Sequence, residues 1–139
     1  TSNICTNQGL MALANAIHMA LLGAQGMRDV ATQSLEKAHY LAKRAIQVPG
    51  VSLCHGDAPY VREFVLRLPG PAIEFVRAAE KKRLLAGVPL GRFDATRPND
   101  LLVAVTEKRT KEEMDRYVET LAEWARRPAS KPVEEAAWN

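Results

Sequence analysis

Cysteine, histidine and uninterrupted hydrophobic sequence are all scarce in this 139-residue chain, and each scarcity removes a class of function. Two cysteines, Cys5 and Cys54, are too far apart in sequence to form a CxxC pair and too few to staple a disulfide scaffold. The bland reading is two small buried apolar residues in a reducing, cytoplasmic setting. None of the three histidines, His18, His39 and His55, has a Cys, His or carboxylate at metal-site spacing, so no metal is expected. The longest apolar stretch, Leu10 to Leu22, is broken by Asn15 and His18 and repeats with helical spacing, so no membrane-spanning helix is expected. P-loop, GxGxxG and GxSxG motifs do not occur. Internal repeats and low-complexity tracts do not occur either. The opening Thr1-Ser2-Asn3-Ile4-Cys5-Thr6 has no basic n-region and does not read as a signal peptide. A chain that opens inside such a motif suggests a piece of something longer.

What is present is the composition of one globular domain, 47% hydrophobic and 25% charged. Nineteen Lys and Arg stand against sixteen Asp and Glu, a net charge of +3. The bases do not cluster. Lys81-Lys82-Arg83 and Arg126-Arg127 each lie close to an acid, Glu80 and Glu123, as on a solvated helix face. The electrostatic footprint of a nucleic-acid binder is missing.

Periodicity predicts a leading helix from Gln8, capped by Asn7, with Leu10, Leu13, Ile17 and Leu21 as its stripe. Gly23-Ala24-Gln25-Gly26 stops it. A second helix spans 27–47, with Val30, Leu35, Ala38, Leu41 and Ala45 inward. Strands are expected at Val51–Cys54, Phe64–Leu68 and Leu101–Val105. In the second of these Phe64, Leu66 and Leu68 share one face and Glu63 and Arg67 lie on the other. A helix over Ala72–Leu85 uses Ile73, Val76 and Ala79, with the aliphatic part of Arg83 touching the core. Ala86 to Phe93 reads as a short, glycine-bracketed loop brushing a sheet edge. Thr110 and Glu113 form a capping box ahead of a last helix over Lys111–Arg126, whose stripe is Met114, Val118, Leu121 and Trp124. The result is an α/β (α+β) domain over residues 1–127, a three-stranded, mostly antiparallel sheet covered by helices. Residues 128–139 form a loosely ordered tail.

Candidate chemistry is concentrated at the start. Hydroxyl and amide side chains in Thr1 to Gln8 precede a helix, where free amides and the helix dipole suit a phosphate. The same residues are favoured as N-caps with no ligand at all, and both readings stay open. His55-Gly56-Asp57 imitates an acid/base pair but lies in a turn that favours Asp for backbone reasons. Adjacent Cys54 and His55 point to opposite faces if the strand continues, which excludes a dyad. The seven lysines all lie in polar helical or loop settings, without the apolar pocket that activates an amine.

Thr1 to Gln8, Leu22-Gly23-Ala24-Gln25-Gly26, Lys37-Ala38-His39-Tyr40, Glu63-Phe64-Val65, Gly87 to Phe93 and Leu101 to Thr110, taken in order, resemble the P-protein family of the glycine cleavage system, in its α-type subunit 1. The resemblance runs to about Arg126. It implies the small C-terminal domain of a fold-type I pyridoxal-phosphate enzyme, a glycine decarboxylase that passes the aminomethyl group of glycine to the lipoyl arm of H-protein. It further implies a β-type partner subunit that carries the Schiff-base lysine and holds most of the pyridoxal 5'-phosphate. The isolated piece is then inactive and holds no cofactor, no catalytic residue is assigned, and the setting is cytoplasmic, without nucleic acid or membrane. Thr6, with Ser2 and Asn3 as weaker candidates, is implied to reach the cofactor phosphate across the subunit interface. The alternative is a structural and interaction domain of another fold-type I enzyme, an aminotransferase or a serine hydroxymethyltransferase-like protein. With the large domain absent, the leading helix is expected to drive self-association.

Overall fold

The computed structural model describes residues 2–127, with side chains from Gln8 onward. Helix α1 (Ser2–Ala45) leads into β1 (Ser52–Leu53) and β2 (Glu63–Arg67). Helix α2 (Ala72–Glu80), β3 (Val88–Pro89), a 3₁₀ turn at Leu90–Arg92, β4 (Asp100–Ala104) and α3 (Lys111–Ala125) follow. The sheet order is β1-β2-β4-β3, antiparallel throughout. The expected three strands are therefore present, and the loop at Gly87 adds a fourth by pairing Val88 with Leu102 and Pro89 with Leu101 at the edge.

The two expected leading helices run into one another. Only Gly23 departs from helical geometry, at φ 64° and ψ −179°, a conformation open to glycine and rare for side-chain-bearing residues. The break signalled by two glycines thus shrinks to one kink. The expected cap at Asn7 is corrected as well: the helix starts at Ser2, so Thr6 and Asn7 lie inside it. Leu35, expected inward, is 39% exposed. The buried positions of α1 are Ser34, Ala38, Leu41, Ala42 and Ala45, and no described residue before Ser34 is buried.

The core lies between that C-terminal half of α1, α2, α3 and one face of the sheet. Phe64 and Leu66 of β2 pair across with Val103 and Leu101 of β4, and all four are buried on the helix side. Leu68 and Val105 extend the same layer. Phe75 of α2 is fully buried and meets Tyr117 edge-on and Trp124 at a tilt, with ring centroids 5.6 and 5.5 Å away. Tyr117 keeps its hydroxyl satisfied by donating to the Ala86 carbonyl at 2.9 Å, and burial holds its ionisation far above the usual range. Helix α2 stops at Glu80, short of the expected Leu85, because Arg83 turns into the left-handed region at φ 57° and points to solvent. The capping box at α3 forms as expected: the Glu113 amide donates to Thr110 Oγ1 at 3.2 Å, and the Thr110 amide donates to Glu113 Oε2 at 2.9 Å.

Tethers fix α1 to α3. Tyr40 donates to Asp115 Oδ1 at 2.5 Å, Lys111 reaches Asp115 Oδ2 at 2.6 Å, and the Glu107 amide donates to the buried Ser34 hydroxyl at 3.1 Å.

On the outer face one charge is buried. Asp100 is 1% exposed and opposite Arg67 in the strand register. Arg67 donates from Nε to Oδ1 at 2.9 Å and from Nη2 to Oδ2 at 3.2 Å, and Arg97 donates to Oδ2 at 2.8 Å. The arginine hydrogen bonds hold the Asp100 carboxyl down at about 2, against the opposing effect of burial. Ionised Asp100 therefore stabilises the fold fully above the ordinary carboxylate range near pH 4, and that contribution is lost as pH falls towards 2. Asp100→Asn is expected to destabilise the domain at pH 7 by on the order of 2 kcal/mol. Urea unfolding should show the gap between variant and parent narrowing below pH 4; a gap independent of pH refutes the assignment.

Gly87 supplies a second expectation. At φ 140° it passes so close to β4 that an added Cβ sits 2.4 Å from the Leu102 carbonyl oxygen. Gly87→Ala should cost about 2–3 kcal/mol by thermal unfolding, through strain and loss of the β3 edge.

Candidate functional site

The segment between β1 and β2 folds back beside the sheet, with a groove of about 240 Å³ between them. Leu53, Phe64, Val65 and Leu102 line it from the sheet, with His55 and Tyr60 from the loop. Val65 and Leu102 are cross-strand partners on one face, and Val65 is buried although Glu63 and Arg67 on the same face of β2 are exposed. His39 holds the loop in place: its ring stacks on Tyr60 at 4.3 Å between centroids, 8° from parallel. Its Nε2 also lies 3.2 Å from the Tyr60 carbonyl oxygen. His39 is thus a packing residue, and His18 is exposed on α1. His55 and Asp57 are exposed in the turn. Among the described residues no group of His, Cys, Asp and Glu is arranged to hold a metal ion. Burial raises the Tyr60 hydroxyl above its usual range, which removes it as a base near neutrality.

Cys54 is half-buried rather than fully buried as expected. Its amide donates to the Val65 carbonyl at 2.9 Å. Burial first, and then the neighbouring Asp100, push its thiol up, the reverse of an activated nucleophile.

The described lysines are committed elsewhere. Lys37 donates to the Glu107 carbonyl, Lys82 pairs with Glu123 Oε2 at 2.5 Å, and Lys111 pairs with Asp115. Lys43, Lys81 and Lys108 are exposed. Lys131 lies outside the described residues, as does the tail after Arg127. The groove has neither lysine nor arginine in its lining, so it offers no amine for a carbonyl cofactor and no cation for a phosphate. That lining does not fit pyridoxal phosphate. The side chains of Thr6, Ser2 and Asn3, on which the phosphate contact rests, lie outside the described residues; their backbone is helical.

The Arg67–Asp100–Arg97 cluster was not singled out from the sequence. Its only signals were an acid opening an otherwise apolar strand and an arginine on the polar face of the strand that pairs with it.

The family model of the glycine cleavage system P-protein matches residues 1–121. The probable glycine dehydrogenase (decarboxylating) subunit 1 of Chlorobaculum tepidum is 50% identical over 122 residues, which is 88% of this chain and 27% of that protein. Its counterpart from Dictyoglomus turgidum is 38% identical over 123 residues, with the same coverage of both chains. A crystal structure of glycine decarboxylase (P-protein) of the glycine cleavage system, in inhibitor-bound form, superposes with a TM-score of 0.75 at 34% identity. That match covers 82% of this chain and 25% of the other. The chain spans about a quarter of the length of these relatives. With the family model matched over most of its length and the P-protein fold shared at 34% identity, the chain belongs to the glycine cleavage system P-protein family.

Proposed function

We propose that residues 1–127 act as the small C-terminal domain of glycine dehydrogenase (decarboxylating) subunit 1, a cytoplasmic enzyme. The observation that carries this reading is the 50% identity to proteins named as that subunit, in register across nearly the whole chain. It favours this substrate class over an aminotransferase or a serine hydroxymethyltransferase-like parent. In the assembled enzyme a β-type subunit holds pyridoxal 5'-phosphate, which supplies the electron sink for decarboxylating glycine. The lipoylated H-protein receives the aminomethyl group.

This domain contributes support rather than reacting groups. Each described lysine is either paired or exposed to water, which supports assigning the Schiff-base role to the partner. Without the remainder of the enzyme, the chain is expected neither to release CO₂ from carboxyl-labelled glycine nor to form a borohydride-reducible adduct with pyridoxal phosphate. Release by the chain alone refutes the reading, as does no release once the rest of subunit 1, the β-type subunit and H-protein are added.

Thr6, Ser2 and Asn3 remain the candidates for reaching the cofactor phosphate across the interface. Support comes from the family resemblance and from a helix that begins at Ser2, whose first turn has amides without intrahelical partners. Thr6→Val keeps the shape of the side chain and removes its hydroxyl. Loss of a hydrogen bond to a charged group costs about 1.5–3 kcal/mol, so cofactor affinity of the complete enzyme should fall roughly ten- to a hundredfold. Unchanged affinity in a cofactor titration, with a lowered melting temperature, assigns Thr6 to helix stability instead.

A further inference from the structure

From Thr1 to Met27 the chain contains no Asp, Glu, Lys or Arg. Over the same stretch of α1 Leu10, Leu13, Ile17 and Leu21 are 51–81% exposed, and Leu22 is half-buried. Their spacing of three and four residues makes a single stripe, and Met11, His18 and Met19 widen it to a second face. Isolated exposed apolar residues are ordinary, whereas a contiguous face of this length marks a contact surface. The same helix beyond Ser34 is buried at Ala38, Leu41, Ala42 and Ala45 where the domain covers it.

By length and composition α1 also contains a segment, within Gln8–Ala45, able to cross a membrane, which corrects the expectation from sequence that none exists. Asn15, His18 and Gln25 in that segment speak against lipid, where each polar group lacks a partner. What has the right extent is protein: the relatives carry about three quarters of their length beyond the stretch this chain matches. We propose that residues 8–33 are the docking element for that remaining part of subunit 1, an inference that rests on the functional reading above. As far as Met27 this element carries no charge, which suits such a partner, because burying that stretch leaves no ion to be desolvated; Arg28 and Asp29 follow where the helix nears the domain. The fold of the domain does not depend on it, since no described residue of the arm before Ser34 is buried.

The test co-expresses this chain with the part of the Chlorobaculum tepidum subunit 1 that lies outside the matched region. A one-to-one complex is expected in sedimentation, with amide exchange across residues 8–33 slowed at least tenfold relative to the chain alone. Ile17→Gln combined with Leu21→Gln should weaken the complex at least tenfold. Leu85→Gln, at a 95% exposed position outside the arm, should leave it unchanged. Melting curves of each variant alone check that the domain still folds. Any pairing of arms between two copies should dissolve when the complementary part is in excess. The proposal is overturned by failure to co-purify, by a dimer that survives that excess, or by an arm that prefers phosphatidylcholine vesicles to the complement. A protected arm in a complex that never releases CO₂ from glycine after the β-type subunit and H-protein are added sinks the functional reading and leaves the docking intact. CO₂ release with an unprotected arm does the reverse.

Discussion

Antiparallel pairing of β2 with β4 is the constraint on which the other elements depend. Five residue pairs, from Glu63–Ala104 to Arg67–Asp100, place Phe64, Leu66, Leu101 and Val103 on one face, and all three helices pack over that face. A slip of one residue turns every side chain over, sending Glu63, Arg67 and Asp100 into the core. The buried Asp100 works against such a slip. Arg67, from the facing strand, meets it only in the observed register, while Arg97, three residues earlier in the turn before β4, holds it locally. Ion pairs of this kind contribute little net stability compared with apolar packing, so the role that suits the cluster best is fixing the register.

Much of this was legible because binary patterning states it directly. Period-two alternation in Phe64–Leu68, the apolar run at Leu101–Val105 and the Thr110–Glu113 box each encode a local geometry that tertiary packing did not override. The misreadings have physical causes. A two-residue edge strand at Val88–Pro89 is too short to carry a period, and it exists because Gly87 approaches the Leu102 carbonyl closely. Helix α2 ends where Arg83 adopts a positive φ, a conformation that arginine does not announce. Phe75, the best-buried aromatic among the described residues, lies one step around the helix from the stripe that Ile73 and Val76 suggest. At the candidate site, the settings of the described lysines were readable from their polar neighbours. The groove over Val65 and Leu102 was not, since it depends on how the loop between β1 and β2 folds back and stacks Tyr60 on His39.

The leading helix shows why periodicity alone does not identify a core. Its first half and its second half both repeat apolar residues at helical spacing, yet only the second is covered. The two differ in charge. Past Met27 the helix acquires Arg28, Asp29, Glu36, Lys37, Lys43 and Arg44, as expected of a helix with one wet side and one dry side. Before it there are none, so no side is marked for water. A helix of that composition is stable in water only at a cost, and the cost falls when another apolar surface covers it.

Charge and apolar surface are therefore separated along the chain. The domain proper ties its bases to acids at defined points, Arg67 and Arg97 to Asp100, Lys82 to Glu123, and Lys111 to Asp115. A net charge of +3 distributed this way leaves little field to steer a polyanion. As far as Met27 the arm has no charge with which to choose a partner. Selectivity there has to come from shape, from the polar positions Asn15 and His18 that a correct partner must satisfy, and from the bend at Gly23 that sets the direction of the first half. An apolar face read by shape is the kind used in permanent assemblies, whose interfaces resemble a core cut in two, rather than between proteins that must meet and separate.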